Sequence, residues 1–146
     1  MNKKTLMEYI QSFVLKTGYT PLDMKVSVKN DTLRIAFSIF KQGVDISLDD
    51  CSNVTLIVRD FLNMLLGLEA DFVIDVSSPG ADRKLKTWKE YSMFQGKKAR
   101  ITFKDGHTIE SVLKGTIEPD QVVYGSENDE NIVSYDDITS CRLVLY

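Results

Sequence analysis

The chain is poor in the side chains that build metal and redox sites. Its one histidine, His107, leaves no set of His ligands. Its two cysteines, Cys51 and Cys141, stand far apart and form no C-x-x-C pair. They are too few for a disulfide framework or a cysteine-based zinc site. Apolar runs such as Met64-Leu65-Leu66 fall far short of the ~20 residues that span a bilayer. Met1-Asn2-Lys3-Lys4 is basic, but Glu8, Gln11 and Ser12 interrupt any apolar stretch after it. That argues against a signal peptide and for a cytoplasmic protein. Phosphate-cradling loops of the G-x-x-x-x-G-K-[ST] and G-x-G-x-x-G kinds are absent. So are the G-x-x-G clamp of RNA-binding KH domains, the G-x-S-x-G elbow and H-E-x-x-H. No cofactor is implied. Nor does one charge sign dominate: 18 Lys and Arg face 21 Asp and Glu, a net charge of -3. A mildly acidic chain is unsuited to coating nucleic acid indiscriminately.

What is present is a globular composition, 43% hydrophobic and 27% charged over 146 residues. The pattern changes near residue 87. Residues 1–87 carry 11 basic and 11 acidic side chains, and residues 88–146 carry 7 and 10. Two minimal domains, 1–87 and 88–146, fit this division better than one ordinary domain.

In the first half, Leu6, Ile10, Phe13 and Val14 fall at helical spacing. Met24, Val26 and Val28 alternate as a strand, and Asn30-Asp31 signals a turn. Leu33, Ile35, Phe37 and Ile39 give its hairpin partner. Ser47 and Asp50 predict a capped helix. Its stripe is Cys51, Val54, Val58, Phe61 and Leu65, widened by Ile57 and Leu62. Phe72, Ile74 and Val76 make a third strand. The order α-β-β-α-β is an α+β layer with helices on one face of a small sheet. The second half predicts a short helix near Trp88–Phe94, then five short strands ending on Leu143 and Leu145. Asp105-Gly106 is a hairpin signal between the first two. Closure into a small all-β barrel would remove their exposed edges.

The most informative stretch is Val76-Ser77-Ser78-Pro79-Gly80-Ala81-Asp82-Arg83. Pro79-Gly80 predicts a type II turn. It reads as a domain junction braced by Asp82 and Arg83, or as a rigid loop presenting Ser77, Ser78 and Arg83 to a phosphate backbone. A basic run follows, with Arg83, Lys84, Lys86, Lys89, Lys97, Lys98, Arg100 and Lys104, and with Trp88, Tyr91 and Phe94 interleaved. It suits a surface that tracks phosphates and stacks on bases. The alternative is that the aromatics pack between the domains and the lysines are solvated. Glu127, Asp129, Glu130, Asp136 and Asp137 form an acidic pole, either a polar rim or a patch for a basic protein. Asp45, Asp49 and Asp50 read as helix capping. A metal-dependent RNA-processing enzyme using them is the rival reading, and a stand-alone RNA-binding regulator is a third. Cys51 and Cys141 read as core residues, and His107 as an exposed hairpin residue.

Together these motifs resemble the ribosome maturation factor RimP family. The run Val44-Asp45-Ile46-Ser47-Leu48-Asp49-Asp50-Cys51, then Val76-Ser77-Ser78-Pro79-Gly80, Asp82-Arg83 and Leu85-Lys86 carry the likeness. Gly96-Lys97, Tyr135-Asp136-Asp137-Ile138 and Leu143-Val144 extend it over nearly the whole chain. The resemblance implies a KH-like N-terminal domain and a C-terminal SH3-like (Sm-like) barrel. It implies a non-enzymatic cytoplasmic factor, monomeric when free, that binds the free small (30S) ribosomal subunit and assists its assembly. A basic ribosomal protein near the decoding region would meet the acidic residues Glu127, Asp129, Glu130, Asp136 and Asp137. The 16S rRNA would meet Ser77, Ser78, Arg83, Lys97, Lys98 and Arg100.

Overall fold

The computed structural model describes residues 2–67, 70–80 and 82–144. The chain divides into two compact units, Met1–Pro79 and Gly80–Tyr146.

The first unit runs α1 (Lys3–Lys16), β1 (Thr20–Lys29), β2 (Thr32–Phe40), α2 (Leu48–Leu66) and β3 (Phe72–Ser77). Asn2 caps α1, its side chain accepting from the Thr5 N–H at 2.8 Å. Asn30 and Asp31 both take positive φ, 52° and 62°, as a tight two-residue hairpin turn requires. The register of β1 on β2 shifts between Leu22 and Lys25, where Asp23 has φ 56°. This bulge carries β1 back to Thr20, before the alternating residues that marked it in sequence. β3 pairs parallel to β2, so the sheet order is β1-β2-β3, with α2 as the crossover.

Leu6, Ile10 and Val14 of α1, Met24 and Val26 of β1, and Ile35, Phe37 and Ile39 of β2 form one buried cluster. Cys51, Val54, Val58 and Leu62 of α2 complete it. Phe13 is only partly buried and stacks on Phe61 at 4.3 Å. The α2 stripe is narrower than the sequence suggested. Ile57 is 38% exposed and Leu65 is 36% exposed. Alternate residues such as Lys25, Ser27 and Arg34 face solvent, so one face of the sheet stays wet.

The second unit holds α3 (Trp88–Met93), β4 (Lys98–Phe103), β5 (Thr108–Ile117), β6 (Gln121–Gly125), β7 (Asn131–Ser134) and β8 (Ile138–Leu143). A 3-10 turn, Tyr135–Asp137, joins the last two strands. The five strands make one antiparallel sheet in the order β7-β6-β5-β4-β8. Strand β8 thus returns to pair with β4, the first of the set. Among the described residues no ladder joins β7 to β8, so the sheet has two ends. Leu145, expected in the last strand, lies outside the described residues. Residues 80–87, grouped in sequence with the first half, pair with the second unit. The Leu85 N–H donates to the Cys141 carbonyl, and the Leu143 N–H donates to the Arg83 carbonyl, both at 2.9 Å. The β8 edge is thereby covered. The core here is Leu85, Tyr91, Phe94, Ala99, Ile101, Phe103, Leu113, Val122, Val123, Cys141 and Leu143.

Candidate functional site

The serines of the central motif close the first unit. Ser77 pairs with Ser38 of β2, and their hydroxyl oxygens lie 3.2 Å apart. Ser78 follows, also exposed. The turn beyond them differs from a type II turn at Pro79-Gly80. Gly80 is not in the left-handed region that such a turn demands. Instead the Arg83 N–H donates to the Gly80 carbonyl at 3.1 Å.

Beyond that turn the chain is strand-like, and its side chains alternate. Arg83 and Leu85 point inward and are buried, while Lys84 is exposed and bridges to Arg142. Arg83 Nε donates to Glu90 Oε1 at 2.7 Å, and Glu90 Oε2 accepts from the Lys86 N–H at 3.1 Å. The guanidinium of Arg83 is thus held inside the second unit. The interleaved aromatics are engaged within that unit too. Tyr91 and Phe94 are buried, and Tyr91 meets Tyr135 edge-on at 5.8 Å. Trp88 Nε1 donates to the Gln121 carbonyl at 3.1 Å.

The remaining basic residues share an outer face. Lys98 and Arg100 alternate with buried Ala99 and Ile101, so both point away from the core. Glu110 on β5 lies 2.9 Å from Arg100 and 3.6 Å from Lys98, and these contacts hold its carboxyl below the usual range. Lys97, exposed, immediately precedes β4. On the other side of β4, Arg142 stands directly opposite Arg100. Lys84 belongs to the basic run read in sequence, whereas Arg142 was not singled out there. The alternation Cys141-Arg142-Leu143 was the available signal.

The acidic residues fall into two places. The loop after β6 closes on itself: Asp129 Oδ1 accepts from the Ser126 N–H at 2.6 Å and from the Ser126 hydroxyl at 2.8 Å. These bonds hold the Asp129 carboxyl below its ordinary value. Lys114 Nζ donates to the carbonyls of Ser126 and Asp129. Glu127 and Glu130 remain exposed around that ammonium. Gly125 permits the closure, since a Cβ there would stand 2.3 Å from the Asp129 carbonyl oxygen. Asp136 and Asp137, also exposed, occupy the 3-10 turn.

Comparison with known proteins places the chain in a family. The RimP N-terminal domain model matches residues 9–82. The protein named ribosome maturation factor RimP from Borrelia garinii subsp. bavariensis is 32% identical over 109 residues, which cover 72% of this chain and 67% of that protein. The protein of the same name from Borreliella burgdorferi is 24% identical over 127 residues, covering 84% and 82%. The chain belongs to the RimP family.

Other sequence candidates have structural employment in this RimP-family chain. Asp50 completes a capping box on α2: its carboxylate accepts from the Ser47 N–H at 2.8 Å, and its N–H donates to Ser47 Oγ at 3.1 Å. The Tyr19 hydroxyl donates to Asp50 Oδ1 at 2.6 Å. The Ser47 backbone bond, then the Tyr19 and Ser47 side-chain bonds, lower the Asp50 pKa. Asp49 sits exposed in the same helical turn. Among the described residues no group of three or more His, Cys, Asp or Glu is placed to hold a metal ion, and no helix is long and apolar enough to cross a membrane. Cys51 and Cys141 are buried free thiols. Burial raises both pKa values, that of Cys141 to about 12. Exposed His107 stacks on Phe103 at 4.6 Å, and its Nδ1 lies 2.7 Å from Asp105 Oδ1.

Proposed function

We propose that this chain is a cytoplasmic, non-enzymatic ribosome maturation factor that binds the free small (30S) subunit and assists its assembly. The observation that carries this reading is family membership, together with the names of the relatives. A KH-like first unit and an SH3-like second unit belong to the same proposal. The return of β8 to β4 supports the latter, because the 3-10 turn Tyr135–Asp137 alone links the two edge strands β7 and β8.

The charge division supports two kinds of contact. Glu127 and Glu130, with Asp136 and Asp137 beyond them, offer exposed carboxylates to a basic ribosomal protein near the decoding region. Asp129 shapes the loop that presents the first two. Lys97, Lys98 and Arg100 would meet 16S rRNA phosphates, and Ser77 and Ser78 would add hydroxyl donors. Arg83 would act indirectly, by fixing the segment that carries Lys84. The factor would work as a monomer and leave once both contacts are satisfied by the subunit itself.

Sucrose-gradient sedimentation of a lysate tests the reading. The chain is expected to travel with free small subunits. Travel alone, or only with complete ribosomes, would overturn it.

A further inference from the structure

Two arginines directly opposite one another in an antiparallel pair repel, and a sheet normally avoids the arrangement. Arg100 of β4 and Arg142 of β8 are such a pair. The row continues on one side to Lys84, which bridges to Arg142, and on the other to Glu110, opposite Arg100. Lys98 lies two residues along β4 on the same face. Lys84 to Arg100 covers two strand spacings, about 10 Å, and Lys98 extends the patch about 7 Å along the strand. Four cations therefore occupy one small outer face.

Their neutralisation is incomplete. Glu110 serves both Lys98 and Arg100. Arg142 Nη1 donates to the Asp82 carbonyl at 3.0 Å, a neutral acceptor that does not offset its charge. The next row across the same face is made of hydroxyls: Ser140, Thr102 and Thr108 stand side by side, with Thr102 Oγ1 3.1 Å from Thr108 Oγ1. No aromatic residue occupies these outward positions. Among the described residues these positions offer no stacking platform for bases, and Val112, opposite Lys98, does not make the aromatic and apolar centre of a protein interface. What it offers is cations and hydroxyl donors, which is the chemistry of a phosphodiester backbone.

We propose that this face, centred on Arg100 and Arg142 and flanked by Lys84 and Lys98, binds the phosphate backbone of an RNA strand without reading its sequence. The proposal deepens the reading above by placing its RNA contact on one face and adding Lys84 and Arg142 to it. An RNA backbone supplies an anion to Arg142, whose acceptor is a neutral carbonyl, and Glu110 is a built-in competitor for the Arg100 guanidinium.

The test is a titration of the purified full chain with a single-stranded 12-mer oligouridine, followed by amide NMR shifts and by affinity across 50–200 mM salt. Shifts are expected at Lys84, Lys98, Arg100 and Arg142. Arg142→Gln should weaken binding about 5-fold at low salt and flatten the salt slope by about one phosphate contact. Glu110→Gln should tighten binding about 3-fold, a gain that damaged folding cannot produce. Absence of binding at low salt, shifts confined to another face, or a salt slope and affinity indifferent to both substitutions would overturn the proposal. Sedimentation separates it from the wider reading. If the chain joins small subunits while these variants leave RNA binding unchanged, the proposal fails and the reading stands. If the titration behaves as expected and the chain ignores subunits, the reverse holds.

Discussion

Arg83 and Glu90 form an ion pair, Nε to Oε1 at 2.7 Å, with side chains only 7% and 5% exposed. The pair ties the segment pairing with β8 to the helix α3 that follows it. Removing one member strands a buried charge, which costs about 3–5 kcal/mol. Arg83→Ala is therefore expected to destabilise the second unit by about 3 kcal/mol in urea titration. Unchanged stability would mean that the guanidinium is free to serve elsewhere.

The α2 cap gives a second expectation. Ser47→Ala removes the acceptor for the Asp50 N–H and should cost about 1 kcal/mol. Asp49→Ala, which leaves the box intact, should change stability much less.

The acid and alkaline limbs of the same cap have opposite signs. Asp50 is held below its ordinary 3.8, so its contribution is complete above that value and is lost as pH falls through the lowered folded pKa. Tyr19 is raised above its ordinary 10.0 by its bond to Asp50, so its contribution is complete below that value and is lost as pH rises through the raised one. Tyr19→Phe should therefore flatten the alkaline limb and weaken the acid one, read by thermal unfolding across pH.

Gly125 is expected to tolerate no side chain. Gly125→Ala drives a Cβ to within 2.3 Å of the Asp129 carbonyl oxygen. Backbone rather than a flexible side chain must yield, at about 1–3 kcal/mol. Loss of the Ser126–Asp129 bonds should appear as faster amide exchange at Ser126, and an unperturbed loop would contradict the geometry.

Both thiols should be inert in the folded chain. Cys141 is fully buried with its pKa pushed up to about 12, and Cys51 is raised by burial too. At pH 8 a thiol reagent is expected to label neither until denaturant is added.

The first unit was legible because its signals are local. Ser47 and Asp50 lie three residues apart, and the apolar spacing of α2 is visible without knowing what it packs against. Even there the width of the stripe was overread, because Ile57 and Leu65 match the helical period while remaining over a third exposed. The second unit depends on pairings across distance. Arg83 reads as a junction brace or a phosphate contact until strand pairing with β8 turns it inward, and its partner Glu90 is not visible from the sequence. Arg142 stood out only once its register against Arg100 was known. The need for glycine at position 125 arises from the approach of Asp129, which no turn signature announces.

The proposed function requires the chain to recognise the free small ribosomal subunit. Its most direct test is pelleting of the purified chain with purified small subunits or with complete ribosomes, beside a Glu127→Lys, Glu130→Lys double variant. Pelleting with small subunits alone, weakened by the charge reversal, is the expected result. No pelleting with small subunits, or equal pelleting with complete ribosomes, would contradict the account.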